Sequence, residues 1–182
     1  MEPQANSQDP GPNALRVAQS PEQSLELLRL NLDRFGFGVV GMNNHMGSLL
    51  TAREDKMRLV MEELRKRRMM FLDSHTTRAS VGAKVAERYG LPFTINDLFL
   101  DNVLKDEEIW RQLDEVEVIA RRNGSAVAIG HPYAETVRVV RKWIKRAEAR
   151  GFVLVPVTTV VEYQMRQRAA RDLRSAAITE NN

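Results

Sequence analysis

Short apolar runs alternate with helix-like segments along most of this chain, and polar clusters follow the runs. Three runs lie just before the histidines: residues 37–41 precede His45, 69–72 precede His75, and 126–130 precede His131. Strands that alternate with helices through short loops form parallel sheets. Since the carboxyl ends of parallel strands open on one side, we expect the three histidines to approach one cleft. This geometry is typical of an active site.

The predicted elements follow the same alternation. We predict strands over 37–41, 69–72, 93–95, 125–129 and 152–155, and helices over 21–35, 52–67, 80–89, 105–122 and 135–150. Ser20 is the predicted N-cap of the first helix, with Gln23 completing a capping box, and Thr51 is the predicted cap of the second. Residues 163–177 are predicted to form a basic helix, and the last few residues to fray.

Composition narrows the class of protein. At 182 residues the chain suits one domain, and no run reaches the roughly 18 apolar residues of a membrane span. Residues 1–6 lack a basic start and an apolar stretch, so we expect no export signal in this sequence. A net charge of +3 without a basic, aromatic patch predicts no nucleic-acid partner. Because the chain has no cysteine, any metal ligands are expected to be His, Asp or Glu.

The first polar cluster, residues 43–48, holds two amides, an imidazole and a hydroxyl. Asn43, Asn44, His45 and Ser48 offer a neutral nitrogen ligand beside several hydrogen-bonding groups. Such a loop suits a metal or a polyol. The alternative is that the amides and the hydroxyl cap the next helix while His45 is merely exposed.

The second cluster, residues 73–77, follows the next strand. Asp73 is a candidate for orienting an imidazole or holding a water molecule, as carboxylates do in many hydrolytic sites. The alternative is structural, because Asp, Ser and Thr after a strand also serve as turn and capping residues. The same alternative applies to His75.

The third cluster carries the sharpest functional signal. Gly130 allows a close approach of the backbone, Pro132 fixes the exit of the chain, and His131 is held between them at the strand tip. A histidine there is well placed as a general acid or base near neutral pH. The alternative is a structural histidine bonded to a nearby carbonyl. Tyr133 is a candidate for stacking on a sugar ring.

Four motifs, taken in order, resemble those of the divergent polysaccharide deacetylase family of bacteria. They read VGMNNHMGS at 40–48, FLDS at 71–74, FLDN at 99–102 and AIGHPY at 128–133. The resemblance covers residues 1–163, which we predict to be the deacetylase-like domain, and leaves 164–182 as a basic helical or frayed tail. It implies an α/β fold, a partial, irregular (β/α) barrel of the NodB type with parallel strands.

The resemblance also implies a chemistry. In the related NodB-type carbohydrate esterases, a metal held by an Asp and two His activates water, and a late histidine protonates the leaving amine. By position, His131 resembles that histidine and Asp73 a residue that supports it. The remaining expected site residues are Asn43, Asn44, Ser48, Ser74 and Tyr133 for the substrate, and Glu2 and His45 for a divalent metal, zinc by resemblance.

The chain also departs from the family pattern. The family's first strand carries an Asp-Asp pair, and nothing before Met1 supplies it, so we expect an N-terminally truncated domain with an incomplete metal centre. Glu2 resembles the last member of that centre. The family more often has Arg at the position of His75.

The leading expectation for function is therefore a carbohydrate deacetylase-like hydrolase acting on N-acetylated polysaccharide in the cell envelope. The alternative is a non-enzymatic saccharide- or peptidoglycan-binding module. A third, weaker alternative is a fragment that folds poorly. The periplasm or envelope is implied by the resemblance alone, since this sequence shows no signal.

Overall fold

The structure is a computed structural model that describes residues 1–5, 9–36 and 38–180, with the side chains of 176–180 left out. The chain divides into two compact units, Met1–Ile95 and Asn96–Asn182. The boundary predicted after residue 163 falls inside the last helix and stays a prediction. The fraying predicted for the last few residues falls partly on 181–182, outside the described residues.

The first unit alternates helices with short parallel strands. Its elements are α1 (Pro21–Asp33), β1 (Gly41–Asn43), α2 (Glu54–Lys66), β2 (Met70–Asp73), α3 (Gly82–Arg88) and β3 (Phe93–Ile95). The strands pair in the order β1-β2-β3, all parallel. The core beside this sheet includes Phe71, Met57 and Met61, each fully buried.

The second unit has a smaller sheet and longer helices. Its elements are β4 (Leu98–Phe99), α4 (Asp106–Asn123), β5 (Ala128–Ile129), α5 (Ala134–Ala149) and α6 (Val157–Glu180). Strands β4 and β5 are parallel. The core between α4 and α5 contains Ile109, Leu113 and Val139. The α/β class with parallel strands is thus confirmed, and the described residues form two open sheets rather than a closed barrel.

Among the described residues, each unit has one buried glutamate, and this residue joins two helices. The Glu63 carboxylate on α2 forms salt bridges with Arg29 Nε of α1 at 3.0 Å and with Arg67 Nε at 2.9 Å. Glu117 on α4 accepts the Trp143 indole N–H at 3.0 Å and an Arg150 guanidinium N–H at 2.9 Å, both from α5 or its end. A buried carboxylate is costly unless paired, so these donors decide how the helices pack.

The local signals at α1 are confirmed. Ser20 Oγ accepts the Gln23 N–H at 3.2 Å, and Gln23 Oε1 accepts the Ser20 N–H at 2.9 Å. The strand predicted over 37–41 is displaced, since β1 spans Gly41–Asn43, and Phe37 lies outside the described residues. The basic helix predicted over 163–177 lies within α6.

One predicted strand is wrong, and one observed strand was not predicted. Residues 152–155 form no strand, and the Val153 side chain is 81% exposed. Apolar, β-branched residues form a strand only where a neighbour supplies backbone hydrogen bonds, which no described strand does here. Conversely, β4 was not predicted, and it pairs with β5. The strand β5 is shorter than the predicted strand over 125–129.

Thr51 is not the cap of α2. The N-cap is Arg53, without a side-chain cap, and Thr51 is fully buried. Its Oγ1 has no hydrogen-bond partner among the described residues. A buried hydroxyl without a partner has lost its bonds to water and gained none in exchange.

We therefore expect Thr51→Val to stabilise the protein, because valine keeps the shape and removes the unpaired hydroxyl. The free energy of unfolding should rise by about 1 kcal/mol, measured by urea denaturation. As a matched control, Thr76→Val removes a hydroxyl that donates to the Met46 carbonyl at 3.2 Å and should lower stability. A Thr51→Val protein less stable than the parent would show that the Thr51 hydroxyl makes a stabilising hydrogen bond.

Candidate functional site

The pairing of β4 with β5 brings two chemically useful residues together. Phe99 lies opposite Ile129 in the parallel register. Asp101 and His131 each come two residues after these partners, at the carboxyl ends of their strands. The Leu100 N–H continues the pairing to the Ile129 carbonyl at 2.8 Å. An acid and an imidazole therefore leave adjacent strands side by side.

Asp101 holds His131 at two points. Its Oδ1 lies 2.8 Å from His131 Nδ1, and its Oδ2 accepts the His131 backbone N–H at 2.5 Å. The Asp101 side chain is 1% exposed, while that of His131 is 40% exposed. The pair thus has a buried carboxylate and an imidazole that reaches the surface, which is the arrangement of an oriented acid/base histidine.

The charge of Asp101 is stabilised by its neighbours. Burial by itself raises the pKa of this carboxyl, but the hydrogen bonds from His131 and Thr136 outweigh it and hold the pKa below its usual range. Asp101 is therefore ionised at neutral pH and can only accept hydrogen bonds. In a neutral His131 ring, Nδ1 is the nitrogen placed to donate to this carboxylate.

Tyr133 stands next to the imidazole. The two ring centroids are 5.6 Å apart with the planes tilted by 43°, and Tyr133 is 45% exposed. The Tyr133 N–H donates to the His131 carbonyl at 2.8 Å and so closes the turn through Pro132. An exposed aromatic face beside an acid/base group fits the predicted stacking role on a sugar.

In the first unit, amides and hydroxyls bridge the ends of β1 and β2. The Asn43 amide donates to Ser74 Oγ at 3.1 Å, and Asn44 Oδ1 accepts the Ser74 N–H at 2.8 Å. Asn44 is 1% exposed and also donates to the Met46 carbonyl at 2.8 Å. Asn44 thus holds the loop in place, while the exposed Asn43 is the amide that faces solvent.

Asp73 and His75 belong to one tight turn. Asp73 is 2% exposed, its Oδ1 accepts the His75 N–H at 2.8 Å, and its Oδ2 accepts the Ser80 hydroxyl at 2.7 Å. Gly82 leaves room for this carboxylate, because a Cβ there would lie 2.8 Å from Oδ2. His75 is exposed at a φ of 53°. These bonds order the loop, and the catalytic role of Asp73 stays a prediction.

The opening residues are tied to the loop after β1. The terminal amine of Met1 donates to the His45 carbonyl at 3.0 Å, and the Gln4 N–H donates to Ser48 Oγ at 2.7 Å. Glu2 Oε2 accepts the Val17 N–H at 2.6 Å. Glu2 therefore has a structural bond that a metal-binding role would have to displace or share.

The described side chains do not fit a metal centre as they stand. Among the described residues, no three His, Asp or Glu side chains converge as metal ligands. Glu2 is engaged with Val17, and His45 is exposed. The zinc site at Glu2 and His45 stays a prediction.

The structure groups the predicted site residues in two sets. The first unit contains Asn43, Asn44, Ser48, Ser74, Asp73, Glu2 and His45. The second unit contains His131 and Tyr133. Their approach to one cleft stays a prediction. Asp101 was missed as a partner of His131, although both follow apolar strand-like runs. The register between β4 and β5 identifies Asp101 as this partner, and the sequence alone does not predict that register.

Asp101 should make stability depend on pH. Because its pKa is lowered in the folded state, the ionised carboxylate stabilises the fold above its unfolded pKa of about 3.9. That stabilisation is lost as the pH falls through the folded pKa. We expect Asp101→Asn to be less stable than the parent by roughly 2 kcal/mol at pH 6, with the difference shrinking toward pH 3, measured by urea unfolding.

Asp97 provides the matched control. Burial raises its pKa despite the bond from the Val127 N–H at 2.7 Å. Its ionisation therefore costs stability as the pH rises above about 4. The stability of the parent relative to Asp97→Asn should fall with pH, opposite in sign to Asp101→Asn. A pH-independent difference for Asp101→Asn would show that the Asp101 charge does not stabilise the fold.

Comparisons with known proteins give relatives over much of the chain. It is 34% identical over 132 residues to the uncharacterized protein YibQ of Escherichia coli (strain K12), covering 72% of this chain and 41% of that protein. It is 38% identical over 106 residues to an uncharacterized protein of Haemophilus influenzae, covering 58% and 38%. The chain thus spans about two fifths of the length of these curated relatives.

A solved structure and a family model complete the comparison. The crystal structure of an uncharacterized protein from Agrobacterium tumefaciens C58 superposes with a TM-score of 0.77 at 28% identity, covering 87% of this chain and 65% of that one. In the described part of the chain, no helix has both the length and the apolar character of a membrane span. The model of the divergent polysaccharide deacetylases matches residues 1–161, and the chain belongs to that family.

Proposed function

We propose that this chain carries the acid/base part of a hydrolase that removes acetyl groups from N-acetylated polysaccharide. The observation that supports this most is the Asp101–His131 pair, in which a buried, ionised carboxylate orients a surface-reaching imidazole. Family membership supports the proposed substrate class. The proposed frame is the family's partial, irregular (β/α) barrel.

The proposed reaction has one proton requirement that His131 meets. Water adds to the acetamide carbonyl, the C–N bond breaks, and the products are acetate and a free amine. The departing nitrogen needs a proton, because an amide anion is too poor a leaving group. His131 Nε2 takes a proton from the attacking water and delivers it to the departing nitrogen, and the Asp101 carboxylate stabilises the imidazolium between the two transfers.

Sugar recognition is assigned to the polar groups at the strand ends. The amide of Asn43 and the hydroxyl of Ser48 are the groups through which the first unit would bind sugar hydroxyls, with Ser74 and Asn44 supporting the Asn43 side. Tyr133 would stack on a ring beside His131. Zinc, with Glu2 and His45 as ligands, remains a proposal for which the described donors give no converged site.

A saccharide-binding module is the second candidate. The hydrogen-bonded amide and hydroxyl cluster of Asn43, Asn44 and Ser74 supports it, because such a cluster binds polyols without any chemistry. In this case the glycan of the cell envelope would be the ligand, and His131 would serve only as a hydrogen-bonding group.

Acetate release separates the two candidates. With N-acetylglucosamine oligosaccharides and added zinc, we expect the parent to release acetate and His131→Ala to lose at least about 100-fold in rate, the usual contribution of a general acid. His75→Asn is the matched histidine control, because asparagine tolerates the φ of 53° at this exposed position, and it should retain activity.

The outcomes divide as follows. Equal acetate release by His131→Ala and the parent would refute His131 as the acid/base catalyst. Oligosaccharide binding by calorimetry without acetate release from the parent would favour the binding module.

A further inference from the structure

Thr136 is a buried polar residue that the acid/base scheme above leaves without a role. It lies in the first turn of α5, five residues after His131, and is 4% exposed. Its hydroxyl donates to Asp101 Oδ2 at 2.9 Å. The bond joins α5 to the end of β4, two elements separated by 35 residues along the chain.

This bond completes the coordination of the Asp101 carboxylate. Oδ1 faces His131 Nδ1, while Oδ2 accepts both the His131 backbone N–H and the Thr136 hydroxyl. A rotation of the carboxylate about its own axis would weaken all of these bonds together. Without the Thr136 donor, one backbone N–H alone would hold Oδ2, and Oδ1 would be less firmly directed at the imidazole.

Gly130 makes the approach of Thr136 possible. A Cβ at this position would lie 3.0 Å from Thr136 Cγ2 and 3.5 Å from Asp101 Oδ2. A side chain at residue 130 would therefore press on the threonine methyl group. Gly130 and Thr136 therefore belong to one packing arrangement around Asp101.

We propose that Thr136 is a positioning residue for His131: by holding Asp101 Oδ2 it keeps Oδ1 on His131 Nδ1 and fixes the imidazole in its Nδ1–H tautomer. The Nε2 lone pair is then directed to exchange a proton with the substrate. The catalytic meaning of this inference rests on the proposed function, whereas the tautomer itself is a property of the protein alone.

The test is a nitrogen-15 NMR measurement on the full chain with labelled histidine. The chain has three histidines, so the ring signals are few, and the His131 signals are identified by their loss in His131→Gln. In the parent at a pH where the ring is neutral, we expect the Nδ1–H form to dominate. In Thr136→Val, the ratio of the Nδ1–H to the Nε2–H form should fall about tenfold, the effect of losing one hydrogen bond to a charged group.

Two control variants show that the effect is specific. Thr136→Ser keeps the hydroxyl and should restore the tautomer ratio of the parent. Thr159→Val makes the same substitution at an exposed site on α6 and should leave the His131 signals unchanged. The ring signals of His45 and His75 provide an internal reference in every sample.

Three results bear on the proposal. A folded Thr136→Val protein with the parent's His131 tautomer ratio would overturn it. If valine prevents folding, the parent still decides, because a dominant Nε2–H form there is incompatible with the proposed arrangement. A lost tautomer preference in Thr136→Val, restored by Thr136→Ser, would support it. Failure of the acetate assay would remove the proposed function and leave this tautomer result standing.

Discussion

Parallel pairing of very short strands is the constraint on which both units depend. Strands β4 and β5 share only two residue pairs, yet their register decides which side chains emerge together at the carboxyl ends. In the first unit the three-stranded register does the same for Asn43 and Asp73. Strands this short contribute little stability of their own. The helices that cover them, held by the buried Glu63 and Glu117, therefore maintain the register.

Local sequence signals predicted much of this architecture. The capping box of Ser20 with Gln23 begins α1 as expected, because both partners lie within one turn and need no distant neighbour. The alternation of strands and helices predicted the α/β class, because each element is recognised from the pattern of its own residues. His131 was identified as a candidate because a glycine and a proline flank it at a strand end.

Long-range pairing accounts for what the sequence did not predict. The apolar run at 152–155 has the composition of a strand, but whether it forms one depends on a partner that its own residues do not specify. Asp101 became the partner of His131 only through the β4–β5 register, which connects residues 30 positions apart. Thr51 looked like a helix cap and is instead buried, since packing overrode its local preference.

The multiple bonding of Asp101 has a consequence for how this protein tolerates change. The same carboxylate joins the end of β4, the backbone at His131 and the first turn of α5, so it would serve folding as well as the proposed proton transfer. Many enzymes instead keep active-site groups that cost stability. Here substitutions that damage the acid/base pair should also lower the amount of folded protein, so selection for persistence in the cell would help to retain the pair.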